Sequence, residues 1–416
     1  MFDTTMKQRV IVIGQGYTSR LCVIRSVAQL GCELYVIVMT GLQKDGKTLN
    51  TKKPIDCYSK YVHQVYYNKG NDSDGLINLL LTKCVKAGQK PLIITVGDFV
   101  TKVIDSHLTT LNNYFLFSHI HHRQGAIVEW MNKEKQKTLA DKVGINITES
   151  CNIEIREGQF LIPQGINYPC FTKTREYLPG CKHTLKKCDS ESTLIEFVGS
   201  MAKKFMNLTL LVEEFKNIET EYAVVGFSDG KQVVIPGIIK ILSMAHGHHF
   251  GVACTGEVMP ITGFEELITK FKRMILEIGY VGMFDIDFYC SESNFFFGEL
   301  NLRMGGSGYA ITKMGVNLPA MFVKSLLNEP INDMPHTIQQ RATFVNERMW
   351  VGDWQKNYIS TKEFYKVLYK TDISFVFDGK DQIPYKVFYW TIIVDFFKLV
   401  LKRIISRIYT LKRNIL

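Results

Sequence analysis

The chain has 416 residues, 46% of them hydrophobic, and a formal net charge of +10. A chain of this length holds two or three domains and buries large cores, and no internal repeat, low-complexity linker or signal peptide interrupts the pattern. Its ten cysteines show no C-x-x-C and no even spacing, which argues against a disulfide framework and for reduced core thiols in a cytosolic protein.

Taken in chain order, Val10 to Ile13 reads as a short buried strand. Leu21, Ile24, Ala28 and Leu30 then recur at helical spacing, Gly31 closes the helix, and Leu34 to Val38 is the next strand. A βαβ unit of this kind predicts a parallel sheet. Gly14–Gln15–Gly16 is only part of a dinucleotide fingerprint, because Ser19 holds the third glycine position, so it is weak evidence for NAD. Pro91 to Asp98 is a further buried strand that ends in an acid. Met131 to Ile145 carries Leu139 and Val143 at i, i+4 and is closed by Gly144; its many lysines read by default as a solvated face.

Tyr168 to Glu176 holds a short strand ending on Lys173, and a lysine at a strand end facing a cleft suits phosphate as a point charge. Leu208 to Val212 is another buried strand. Glu213, Glu214 and Phe215 follow it, and Glu221 precedes the strand Tyr222 to Phe227. A slip of one residue would exchange Glu213 and Glu214 between faces, and each Glu taken alone reads equally as an exposed loop acid. Lys240 lies on the next strand. His246, His248 and His249 lack a distant fourth ligand at recognisable spacing and read as a loop near substrate. Phe264 to Ile278 is an amphipathic helix that buries Phe264, Leu267, Ile268, Phe271 and Ile275.

The most informative stretch is Phe284 to Gly308. Asp285 and Asp287 alternate with Phe284, Ile286 and Phe288, so the two acids share one face. After a polar break at Ser291 to Asn294, Glu299, Asn301 and Arg303 share a face by the same period. A hairpin would lay Asp287 beside Glu299 and Asn301. Hard oxygen donors of this kind suit Mg²⁺, which a few carboxylates and the phosphates of a nucleotide usually hold.

"GELNLRMGGSG", Gly298 to Gly308, resembles the E-x-N-x-R-x-G-G-S signature of ATP-grasp enzymes. The resemblance implies ATP and Mg²⁺ (two ions, with Mn²⁺ as the alternative), metal ligands Asp287, Glu299 and Asn301, with Asp285 as a competitor, and Arg303 on phosphate or an acyl phosphate. It implies further that Lys133 and Lys173 reach the phosphates, that Glu213, Glu214 and Phe215 hold the adenine at a hinge, that Glu221 binds the ribose, and that Lys240 approaches the γ-phosphate. Leu302 stands where the family often has proline. The loop after Lys173 departs from the family's Gly- and Ser-rich lid, and Arg175, Lys182 or His183 would serve there instead.

The fold class expected is α/β and α+β: an N-terminal parallel α/β domain over 1–124, a two-lobed ATP-grasp domain over 125–330 split near 213–216, a C-terminal extension over 331–384, and a basic amphipathic tail over 385–416. The pattern from Ile359 to Pro384 loosely resembles carboxylate–amine ligases related to D-aspartate ligase, and Ser360 with Glu363 is a capping-box signature. The activity implied is ATP-dependent joining of a small carboxylate to an amine through an acyl phosphate, on an amino-acid or cell-envelope substrate. The alternatives are a non-catalytic ATP-binding peripheral membrane protein and an ATP-grasp ligase with a non-amine nucleophile.

From Tyr385 to Leu416 seven Lys or Arg stand against the single acid Asp395. Phe397, Val400, Leu401, Ile404, Ile405, Ile408 and Leu411 fall on one helical face, and the apolar run is shorter than the roughly 20 residues a spanning helix needs. A basic amphipathic helix of this kind fits an anionic membrane surface, which would put the protein on the inner face of the membrane; a docked position on its own body or on a homodimer partner is the other reading. Nucleic acid is not expected, because the basic residues form one helix without a reading motif.

Overall fold

The computed structural model describes residues 7–43, 45–174, 185–246, 253–394 and 397. The apolar run from Val10 to Ile13 is completely buried because it forms an inner strand, Arg9–Gly14, of a four-stranded parallel sheet. Its neighbours are Glu33–Thr40 and Leu92–Val96, and Val62–Lys69 forms the edge beyond Glu33–Thr40. The helix Tyr17–Ala28 connects the first two strands and is buried along most of its length, and Gly31 follows it with a positive φ of 70°.

Two polar side chains in that helix are buried with the apolar ones. Arg20 is wholly enclosed and donates to both oxygens of the equally enclosed Asp56, at 2.7 and 2.9 Å. Arg25 donates to Asp381 at 3.0 Å and to the carbonyls of Phe375 and Val376, which ties the N-terminal sheet to residues 350 to 356 positions away.

A second, five-stranded sheet is built on Asn207–Glu214, paired antiparallel with Ser150–Arg156 on one side and Cys170–Thr174 on the other. The third and largest sheet runs through Asn294–Asn301, Tyr280–Ser291, Thr220–Asp229, Ile238–Met244 and Ala253–Met259. The helix Glu265–Ile278 covers it with Ile268, Phe271, Met274, Ile275 and Ile278. The segment after residue 330 does not stand apart: its strand Ala342–Val345 pairs with Ala253–Met259 and extends this sheet. This is the mixed architecture expected, with parallel and antiparallel sheets and a helical C-terminal region.

Residues 383–394 are helical. Phe388 is buried against the C-terminal core, whereas Trp390 and Phe397 are 67% and 65% exposed. Most of the predicted tail face, from Val400 to Leu411, lies outside the described residues, as do Arg175, Lys182, His183, His248 and His249. Among the described residues no helix is long and apolar enough to cross a membrane.

Breaking an enclosed ion pair by removing one partner leaves an uncompensated buried charge, which costs about 3–5 kcal/mol. Asp56→Ala should therefore lower stability by that order in urea unfolding, and Arg20→Met added to it should recover part of the loss.

Candidate functional site

A cleft of about 560 Å³ opens where the three sheets meet. Its floor is one face of the large sheet. The register sets Asp285 opposite Asn301 and Asp287 opposite Glu299, and a bulge after Asp287 leaves Gly298 unpaired. Across the other edge Asp287 faces Ala223, and Tyr289 faces Glu221. Antiparallel partners share a side, so Glu221, Asp285, Asp287, Glu299 and Asn301 all point into the cleft. The period-two reading of this hairpin is thus what the backbone does.

The carboxylates are crowded. Burial pushes Asp285 up to about 6, with Arg303 opposing and Glu299 adding to the shift. Burial, then the charges of Asp285 and Glu299, raise Asp287 well above the usual range. One oxygen of Asp285 is buried with no hydrogen-bond partner, and a Cβ on Gly305 would land inside that carboxylate. Among the described residues no group of three or more His, Cys, Asp or Glu side chains is gathered closely enough to hold an ion alone. Two or three carboxylates with an amide oxygen are instead the partial donor set that Mg²⁺ shares with a nucleotide's phosphates. The residues present therefore fit that ion.

Arg303 pairs with Asp98 and donates to the Asn301 side chain at 3.3 Å. Asp98 is the first residue of the helix Asp98–Ser106, so the N-terminal sheet delivers an acid to Arg303 at the end of the hairpin.

The cleft's opposite wall is basic. The helix Lys133–Lys142 is capped by Asn132, whose side chain accepts from the Lys135 N–H at 3.0 Å. Lys133 lies 3.6 Å from Glu299. Lys137, one turn on, is buried. It sits 2.5 Å from Glu213 and donates to the Thr148 hydroxyl and carbonyl at 2.8 and 3.0 Å. Lys173 reaches the other Glu213 oxygen at 2.6 Å. Burial raises Glu213, but the two lysines outweigh it and hold the carboxyl below its ordinary value. Burial lowers Lys137.

Glu214 pairs with Lys216 at 2.7 Å, and the Phe215 N–H is taken by the Pro169 carbonyl at 3.0 Å. Glu221 lines the cleft and is raised by burial. The cleft therefore gathers Lys133, Lys173, Glu213, Glu214, Phe215, Glu221, Asp287, Glu299, Asn301 and Arg303.

Lys240 is a correction. It pairs with Tyr222, which pairs in turn with Phe288, so it shares their side of the sheet, away from Asp285 and Asp287. It does not line the cleft. The strand was read correctly, but a position in an alternating strand is on the wrong face if the register is off by one. The residues missed are Lys137 and Asp98. Lys137 is one of four lysines in its helix, and only the packed fold shows which of them is buried. Asp98 stood out only as an acid at a strand end. His246, read as part of a substrate loop, bonds Asp353 at 3.0 Å.

No protein-family model matches the chain. Over 173 residues, 41% of this chain, it is 25% identical to the carbamoyl phosphate synthase large chain of Halomonas eurihalina and spans 16% of that protein. Over 235 residues it is 22% identical to the C-terminal section of the same large chain from Methanocaldococcus jannaschii, spanning 37% of it. The chain thus matches well under half the length of these relatives.

Solved structures match far more of it. N5-carboxyaminoimidazole synthetase of Staphylococcus aureus, complexed with ADP, has a TM-score of 0.57 at 15% identity and covers 81% of this chain and 82% of its own. An L-amino acid ligase from Bacillus licheniformis gives 0.59 at 13% identity, over 81% of this chain and 79% of its own. A biotin carboxylase from Campylobacter jejuni gives 0.61 at 14% identity, over 82% and 76%. The chain has the ATP-grasp fold. Within it, the likeness extends to a synthetase, an amino acid ligase and a biotin carboxylase alike.

An acid whose folded pKa lies above its unfolded value loses stability as pH rises from the unfolded value, near 3.8, through the folded one, about 6. Asp285→Asn should therefore raise the thermal midpoint of the ligand-free protein at pH 7.5 by roughly 2 °C or more. That gain should vanish near pH 3.5, which paired thermal scans would read directly.

Proposed function

We propose that this chain is an ATP-dependent ligase that joins a carboxylate to an amine and releases ADP and phosphate. The observation that carries the reading is the opposition of two charged walls in one cleft. Asp285, Asp287 and Glu299 line it with Lys133 and Lys173, while Lys137 lies buried on Glu213, and a metal–triphosphate is complementary to both sets at once.

In this reading the adenine lies at residues 213–216, where the committed Phe215 N–H leaves the Glu214 carbonyl and the Lys216 N–H to meet the ring. Glu221 takes the ribose. Lys133 and Lys173 bind phosphates, and Lys137 positions Glu213, which in turn fixes Lys173. Asp287, Glu299 and Asn301 would hold Mg²⁺ or Mn²⁺, with Asp285 beside them; when bound, the ion neutralises charge on the phosphates. The substrate carboxylate attacks the γ-phosphoryl group, ADP leaves, and an acyl phosphate forms. The amine then attacks the acyl carbon, phosphate leaves, and the amide remains. Arg303 faces the charge that develops on the transferring group. No enzyme nucleophile is needed. The division assigned is 1–124, 125–330, 331–384 and 385–416, the third piece sharing the large sheet of the second through Ala342–Val345 and joined to the fourth by the helix over 383–394.

We further infer a cytosolic protein that binds the inner membrane surface through its tail. The nine described cysteines are free, and Trp390, Ile393 and Phe397 expose apolar surface at helical spacing beside a run of lysines and arginines.

With Mg²⁺, ATP and a panel pairing amino acids and bicarbonate with amine acceptors, ADP release should require two substrates. Glu299→Ala should reduce it at least about a hundredfold. Turnover with neither substrate present, or unaffected by Glu299→Ala, would contradict the reading. For the membrane, removing 395–416 spares the docked Phe388 and should abolish cosedimentation with vesicles containing anionic lipid. Unchanged sedimentation would refute it.

A further inference from the structure

The mechanism uses the cleft from the hinge to Arg303. Its far end is also built, and the reaction as proposed leaves it unused. Along Tyr280–Ser291 the chain passes from Tyr289, opposite Glu221, to Asp285, about 13 Å at about 3.3 Å per residue. That length accommodates a ribose and its phosphates. Beyond Asp285 the Gly305–Gly308 segment brings the chain to the N-terminal sheet, where Ser19 Oγ lies 4.0 Å from the place a Cβ on Gly306 would occupy.

Two helices begin here. Tyr17–Ala28 starts at Gly16, which offers no side-chain cap, and has no acid in its first turn. Glu347–Gln355 starts at Asn346, whose side chain makes no cap bond. The one acid in that turn, Glu347, is turned away and buried on the backbone N–H groups of Phe375, Val376 and Phe377. Gly16, Thr18, Ser19, Asn346 and Arg348 all line the cleft.

Helix starts alone do not make a site, but an independent observation points to a ligand. The Thr18 hydroxyl, a donor, is buried without a hydrogen-bond partner among the described residues, in a residue only 6% exposed. An unpaired buried hydroxyl costs roughly 1–3 kcal/mol and is retained where something completes it. Arg348 stands with its guanidinium 4.9 Å from the Tyr17 ring centroid and forms no ion pair with any described residue. The Tyr17 ring lies within cation–π distance of the guanidinium, whose N–H groups are free to donate elsewhere.

We propose that this end of the cleft is an oxyanion subsite for the second substrate, with Arg348, the Thr18 hydroxyl and the first N–H groups of Tyr17–Ala28 as donors. The substrate it selects carries an anionic group, a carboxylate or a phosphate ester, in addition to the group that reacts beside Arg303. A helix start, a hydroxyl and a guanidinium converge on negative charge, and none of them suits a cation or an apolar group. The subsite rests on the ligase reading for its role, but its existence is separable from it.

The test uses the full-length protein saturated with Mg²⁺ and the ATP analogue AMP-PNP, so that the nucleotide phosphates are already placed. Inorganic phosphate and malonate are then titrated separately by calorimetry. One of the two should bind, and the tighter identifies the anion as phosphate or carboxylate. Arg348→Met and Thr18→Val should each weaken that binding about tenfold, Arg348→Lys less, with AMP-PNP affinity unchanged. Arg348 is exposed, so its replacement leaves the core intact. Wild-type affinity in both variants, or no anion binding while AMP-PNP is bound, overturns the subsite and spares the ATP reading. Arg348-dependent phosphate binding in a protein that takes no AMP-PNP does the reverse.

Discussion

The rest of the site depends on an imbalance of charge. Three carboxylates, Asp285, Asp287 and Glu299, converge on one face of the large sheet, and the guanidinium of Arg303 is divided between Asn301 and Asp98. Burial first, and then the like charges beside them, oppose ionisation, which is why both aspartates are pushed up. A cation bound there would relieve that crowding. Across the cleft Lys137 and Lys173 share one carboxylate, Glu213, so that wall has the opposite excess. Lys133 reaches across to Glu299 at 3.6 Å, and the two aspartates have no such partner on the basic wall among the described residues.

The three sheets hold this opposition in place. The hairpin register sets the acids in a row, the five-stranded sheet carries Lys173 and Glu213 on paired strands, and the N-terminal strands Arg9–Gly14 and Leu92–Val96 lead to the Gly16 turn and to Asp98. Arg25 fastens the N-terminal sheet to the C-terminal segment through Asp381. The cleft is therefore an intersection of distant pieces of chain, each stabilised by its own core.

That arrangement explains what could be read from residue order. The hairpin was legible because its acids and its phenylalanines alternate, and alternation survives without knowledge of neighbours. The βαβ start was legible from one apolar run and one helical spacing. Lys137 was not, since four lysines share its helix and burial depends on Thr148 and Glu213. The Asp98–Arg303 pair joins residues 205 positions apart. Lys240 failed for a related reason: its strand was evident, but its face follows from the partner strand, Thr220–Asp229.

The most direct measurement of the central claim is a crystal structure with Mg²⁺ and AMP-PNP bound. The charged walls predict the adenine against residues 214–216, the phosphates beneath Lys133 and Lys173, and the metal on Asp287, Glu299 and Asn301. Nucleotide bound elsewhere, or bound here with those three residues away from the metal, would contradict it.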